Sequence, residues 1–139
     1  MILKACENDI LEINELGKKL QENFEKTYLL NEYLKNNNYI ILVSKKNYVE
    51  GFMIIYKNID CYELEMIIVS ENSRGKGIAS NLIEYFIKNY CKKNDEIFLE
   101  VSCDNKIAIK LYEKFDFKII NVRKKYYNNS DAFVMKKVI

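Results

Sequence analysis

Apolar residues change their spacing several times along the chain, and each change predicts an element. Ile2–Ala5 suits a short strand. From Glu7 to Gln21 the positions Ile10, Ile13, Leu16 and Leu20 recur with the helical period, interrupted only by Gly17. A weaker helical pattern covers about Thr27–Lys35, through Leu29, Leu30, Tyr33 and Leu34. After the turn signal Lys35–Asn38, β-branched and aromatic residues gather in Tyr39–Ser44, Tyr48–Lys57 and Cys61–Val69. Polar breaks at Lys45–Asn47 and Asn58–Asp60 separate these runs, which predicts an antiparallel meander of three strands.

The second half alternates. A polar loop, Ser70–Ser73, leads into Arg74-Gly75-Lys76-Gly77. Ile78, Leu82, Phe86 and Tyr90 then mark one face of a helix reaching about Lys93. Glu96–Cys103 reads as a strand, Asp104 as the N-cap of a helix over about Asn105–Phe115, and Phe117–Lys125 and Ala132–Val138 as two strands around Asn128-Asn129-Ser130. The order β-α-α-β-β-β-α-β-α-β-β gives about seven strands and about four helices. A parallel β-α-β unit needs a right-handed crossover, so the expected class is α/β with a central mixed sheet.

Composition narrows the chemistry. The 139 residues fit one domain, 1–139, and show no repeat or linker. A formal net charge of +2 excludes a strongly cationic nucleic-acid footprint, and the basic residues do not interleave with aromatics into such a groove. Apolar runs such as Phe52–Tyr56 are too short to cross a bilayer. The start, MILKACENDI, turns charged too early for a secretory signal, so a cytoplasmic protein is expected. There is no histidine, which removes the commonest general base and most zinc sites. The four cysteines, Cys6, Cys61, Cys91 and Cys103, form no CxxC pair. They are expected to be reduced, mostly buried packing residues, with no metal. Only Arg74 and Arg123 are arginine among 22 basic residues, and only four glycines occur, two of them beside Arg74.

Between a strand end and a helix start, the loop Arg74–Ala79 has the ingredients of an anion site. Helix N-terminal amides lack partners and carry the positive end of the dipole, and glycine lets backbone approach a ligand. A plain βα turn with two glycines is the alternative. Neither GxxxxGK[ST] nor GxGxxG is satisfied.

At this loop the chain resembles the GNAT N-acetyltransferases. Arg74-x-x-Gly77-x-Ala79 after the strand ending at Val69 is similar to their R/Q-x-x-G-x-G/A acetyl-CoA loop, and the element order is also theirs. The resemblance implies that Arg74, Gly75, Lys76, Gly77, Ile78, Ala79 and Ser80 surround the pyrophosphate. It also implies that the backbone of Ile67, Ile68 and Val69 pairs with the pantetheine arm, and that the acyl group sits where the fourth and fifth strands part. Leu99-Glu100-Val101 through Asn105, then Ala108, Leu111-Tyr112 and Asp116-Phe117, is similar to the bacterial ribosomal-protein-alanine N-acetyltransferases, as is Arg123-x-x-Tyr126-Tyr127. Asp116 stands where that family usually has glycine, and aspartate tolerates the left-handed conformation better than most residues. The N-terminal third lacks the tryptophan-bearing segment common in that subgroup.

The residues also speak for themselves. Glu100 lies between Leu99 and Val101 in an apolar strand, where a carboxylate is costly unless paired or used. Amine acetylation needs a base, because the acceptor arrives as ammonium, and without histidine a glutamate is the natural candidate. The plainer reading is a Glu100 that points to solvent. Tyr112 can protonate a departing thiolate, as the resemblance implies, or be a core aromatic. Asn105 can support a helix start, and the resemblance implies a cofactor contact. Glu65 is a rival base or acceptor-binding residue on the fourth strand, where alternation also allows a solvated face. Tyr126 can line the acceptor groove or pack on a late strand. The resemblance implies acetyl transfer to a protein N-terminal α-amine, specifically the alanine of a small-subunit ribosomal protein. The alternatives are a small amine or lysine acceptor, or a non-catalytic acetyl-CoA-binding module.

Overall fold

A computed structural model of the chain describes residues 1–127 and 130–139, without the side chains of Tyr126 and Tyr127. The strands are β1 (Ile2–Lys4), β2 (Tyr39–Lys45), β3 (Val49–Lys57), β4 (Tyr62–Val69), β5 (Glu96–Ser102), β6 (Lys118–Tyr127) and β7 (Ser130–Val138). The helices are α1 (Ile10–Leu20), α2 (Phe24–Thr27), α3 (Leu30–Lys35), α4 (Ile78–Tyr90) and α5 (Lys106–Lys114). All seven strands join one sheet in the order β1-β2-β3-β4-β5-β7-β6. Every neighbouring pair is antiparallel except β4–β5, which is parallel, so the sheet is mixed as expected.

Alternation along the strands divides the apolar residues between two cores, one on each face. Leu42, Met53, Leu64, Leu82, Phe86, Leu99, Tyr112 and Met135 pack together with α4 and α5. Ile13, Phe24, Leu30, Val43, Phe52, Ile54 and Ile68 pack together with α1–α3. β4 changes allegiance part-way: Leu64 belongs to the first core and Ile68 to the second. The cause is a bulge, since Ile54 faces Met66 and Ile55 faces Leu64, leaving Glu65 without a partner in β3.

Several boundaries depart from the sequence expectation. The weak second helix is two short ones, broken where Tyr28 is extended and Leu29 leaves the helical region. Its first piece is anchored by Phe24, which is fully buried and falls outside the Thr27–Lys35 pattern. α4 stops at Tyr90 because Cys91 turns extended and the Lys92 amide donates to Asp95 Oδ2 at 2.7 Å. Asp104 does not cap α5. Asn105 does, accepting the Ala108 amide at 3.1 Å, and Asp104 accepts the Ser130 hydroxyl instead. The turn at Asn128-Asn129 lies outside the described residues. The cysteines are all unpaired, yet Cys6 is exposed and the other three are only partly buried. Cys91 packs against the α4–α5 core, and burial, aided by Asp95, pushes its thiol up to about 12.

Asp116 does adopt the left-handed conformation, φ 66°. There it follows the end of α5, and the Phe117 amide reaches back to the Tyr112 carbonyl at 3.1 Å. The chain reverses so that the buried Phe117 ring lies 5.8 Å from that of Tyr112. No helix among the described residues is long and apolar enough to cross a membrane.

Candidate active site

The site grows from one break in the sheet. β4 and β5 pair only at Tyr62–Ile97 and Glu63–Phe98. Beyond them β4 remains paired to β3 and β5 to β7, so the two facing edges part and leave backbone donors and acceptors without a strand partner. Ile67, Ile68 and Val69 lie on this stretch of β4. An extended chain can add to such an edge.

At the end of β4 the loop folds back through Arg74, whose Nε donates to the Val69 carbonyl at 3.3 Å. Gly75 and Gly77 both have φ 78°, so both positions need glycine for their backbone. A Cβ built on either meets nothing within 4 Å, so the space in front of the loop is open. Gly77 is the N-cap of α4, and no side chain among the described residues caps this helix. Asn81 donates to the Gly77 carbonyl, and the amides before it in the first turn have no backbone partner among the described residues. No acidic residue occupies that turn. The hydroxyls of Ser70 and Ser73 are buried in this loop without a partner among the described residues. These features fit a pyrophosphate held by backbone amides. Ile78 turns its side chain into the core, so only its backbone is available, whereas Ala79 and Ser80 are half-buried at the first turn. Lys114, at the end of α5, donates to Ser80 Oγ at 3.3 Å and brings a cation to the loop. Sequence reasoning missed Lys114, because the meeting of the two helices is tertiary.

On the α1–α3 side of the sheet, the parting strands border an open groove of about 530 Å³. Glu63, Glu65 and Glu100 line it together with Tyr28, Tyr33 and Val134. Glu65, the bulge residue, is directed here. Desolvation by the groove walls raises its pKa, and the like charge of Glu63 adds to the rise. Glu100 alternates with the buried Leu99 and Val101 and so lies on the groove face. It is not an isolated carboxylate: Arg123 Nη1 on β6 donates to its Oε1 at 2.5 Å.

Tyr112 belongs to the core on the other face of β5 and is 8% exposed. The sheet therefore separates Tyr112 from Glu100, and the gap between β4 and β5 is where the two faces communicate. Asn105 spends its Oδ1 on the α5 cap, and its side-chain amide has no acceptor among the described residues. The side chain of Tyr126 lies outside the described residues.

The description "Acetyltransferase (GNAT) family" matches residues 7–117. The chain belongs to the GNAT family. Within it, this GNAT chain is 47% identical over 74 residues to an N-alpha-acetyltransferase of Saccharolobus solfataricus, over 50% of this chain and 43% of that protein. It is 28% identical over 99 residues to a Bacillus subtilis protein whose name includes "[ribosomal protein bS18]-alanine N-acetyltransferase", over 68% of this chain and 65% of that one. The GNAT chain thus spans less than two thirds of the length of either curated relative. Its fold matches the ribosomal-protein-S18-alanine N-acetyltransferase from Escherichia coli with a TM-score of 0.88, covering 100% of this chain and 93% of that chain at 24% identity.

Proposed function

We propose that this chain is an acetyl-CoA-dependent N-acetyltransferase acting on a protein N-terminal α-amine. The observation that carries the reading is the parting of β4 and β5 between an uncapped glycine loop and a groove lined by carboxylates. Family membership and the named relatives support the chemistry. The ribosomal-protein alanine is the favoured acceptor, supported by the Leu99–Phe117 pattern and the Bacillus relative's name.

In this reading the amides of Gly75 to Ser80 hold the pyrophosphate, with Lys114 and Arg74 adding positive charge. The exposed β4 edge at Ile67–Val69 aligns the pantetheine, and the Asn105 amide meets the cofactor arm. Glu100 takes a proton from the acceptor ammonium. The freed amine forms the C–N bond to the acetyl carbon as the C–S bond breaks, and Tyr112 gives the departing sulfur a proton; the second proton that the nitrogen sheds on becoming an amide restores the Tyr112 phenol, and the Glu100 proton passes to solvent. Glu65 lines the acceptor side. Three carboxylates facing one groove also suit a polyamine, so the acceptor is the point to test.

Purified protein with acetyl-CoA is offered an alanine-starting peptide, the same peptide with a blocked N-terminus and an internal lysine, and spermidine. Mass spectrometry should find one acetyl group on the α-amine of the first peptide only. Acetylation confined to spermidine or lysine would overturn the N-terminal reading. Glu100→Gln should lower turnover on the order of 10²–10⁴-fold with little change in acetyl-CoA affinity. Wild-type turnover in that variant would move the base to Glu65.

A further inference from the structure

Glu100 is reached by a residue from two strands away. Arg123 on β6 is in register with Ala132 on β7, and Ala132 with Ser102 on β5. Residues in register share a face, and so do residues two apart on one strand, so Arg123, Ala132, Ser102 and Glu100 all lie on the groove side. Two strand spacings and a two-residue offset put the Arg123 and Glu100 backbones roughly 12 Å apart. Only two long extended side chains close that distance, and they do so across β7, where Ala132 opposite Arg123 is fully buried and Val134 stands opposite Glu100. The contact is Nη1 to Oε1 at 2.5 Å. The other oxygen, Oε2, has no protein donor among the described residues.

The residue type is informative. Lysine fills almost every basic position of this chain, including the adjacent Lys124 and Lys125, yet position 123 is one of two arginines. A guanidinium is planar and offers its donors in a fixed fork, so it fixes the orientation of a carboxylate where an ammonium acts as a swivelling point charge.

Stability is a weak reason for the pair. The side chains of Arg123 and Glu100 are 46% and 30% exposed, and ion pairs this wet contribute little. Orientation is a stronger one, because a general base must lie within hydrogen-bond reach of the proton it takes.

We infer that Arg123 is a positioning residue for acetyl transfer: it grips Oε1 of Glu100 across β7 and so presents Oε2 to the acceptor amine. The inference rests on the reading of Glu100 as the base. It gives the β6–β7 hairpin, the last part of the chain, a role in the reaction.

The test compares Arg123→Gln, Arg123→Lys, Glu100→Gln, the double variant Arg123→Gln/Glu100→Gln and a Lys124→Gln control. Single-turnover rates are measured with whichever acceptor the wild type acetylates, so the outcome does not depend on that acceptor being a peptide. Arg123→Gln should lower the rate on the order of tenfold, with KM for acetyl-CoA and the melting temperature nearly unchanged. Arg123→Lys should recover part of the loss. In the Glu100→Gln background, Arg123→Gln should add nothing, because there is no base left to orient. A readout without substrate completes the set: the carboxyl-carbon NMR resonance of Glu100 at neutral pH should move in Arg123→Gln and stay in place in Lys124→Gln. An Arg123→Gln variant as fast as wild type, or one that loses the same factor with and without Glu100, overturns the inference. So does an unmoved Glu100 resonance. A fast Glu100→Gln variant would instead remove the base assignment itself, a different and separately visible failure.

Discussion

At the scale of single residues, Gly17 is the position whose sequence and structural meanings differ most. In the pattern it only weakens a helix. In the structure the Phe24 ring lies against its Cα, and a Cβ there would meet ring atoms at 2.4 Å. Phe24 is fully buried, stacks on Tyr28 with ring centroids 4.9 Å apart and meets Phe52 edge-on at 5.9 Å, so it cannot swing away. Gly17→Ala should therefore destabilise by about 1–3 kcal/mol, despite alanine's higher helix propensity. Urea denaturation would read this as a lower midpoint with an unchanged slope. A stabilised Gly17→Ala would mean that the ring is not held against the helix.

At the scale of elements, the start of α1 is pinned by charge. Asp9 is 2% exposed, accepts the Cys6 amide at 2.9 Å and pairs with Lys45 Nζ at 2.6 Å at the end of β2. Burial by itself would raise the Asp9 pKa. The hydrogen bonds from Lys45 and Cys6 outweigh it, and the net direction is below the ordinary 3.8. A carboxylate with a lowered folded pKa adds stability that is fully present above its unfolded pKa and disappears as pH falls through the folded one. Asp9→Asn should thus cost about 2–4 kcal/mol at neutral pH. The difference from wild type should shrink on acidification below about pH 4. Thermal melts at both pH values would check this, and a constant difference would show that lost packing rather than charge is responsible.

At the scale of the whole molecule, the sheet opening makes an acidic mouth, and Glu65 feels it most. Its pKa is raised by desolvation and by Glu63. A carboxyl with a raised folded pKa loses stability as pH rises from the unfolded value through the folded one, the opposite sign to Asp9. Glu65→Gln should stabilise the fold at about pH 8 relative to about pH 4, and the gap between variant and wild type should widen with pH. If the groove also draws a cationic acceptor, the same variant should raise the acceptor KM, most at low ionic strength. An acceptor KM that is indifferent to both salt and Glu65→Gln would confine the carboxylate to a structural effect.

What the sequence determined by itself was whatever depends on near neighbours along the chain. The two-residue period of the strands, the four-residue stripe of α4 and the glycine pair before it are local, and they marked element order, sheet class and the glycine turn that opens α4. The left-handed turn at Asp116 came from the resemblance, in which glycine is usual there, together with aspartate's tolerance of that conformation. The tertiary structure decided what depends on distant segments meeting. The Glu65 bulge arises from the register of β4 against β3. The cap of α5 passed to Asn105 while Asp104 took up the Ser130 hydroxyl from β7. Lys114 met Ser80 only through the docking of two helices, and Tyr112 and Glu100 fell on opposite faces of β5. The Arg123–Glu100 pair spans 23 residues of chain and a whole intervening strand. No local pattern encodes such a distance, because strand order is settled by burying both faces of the sheet at once.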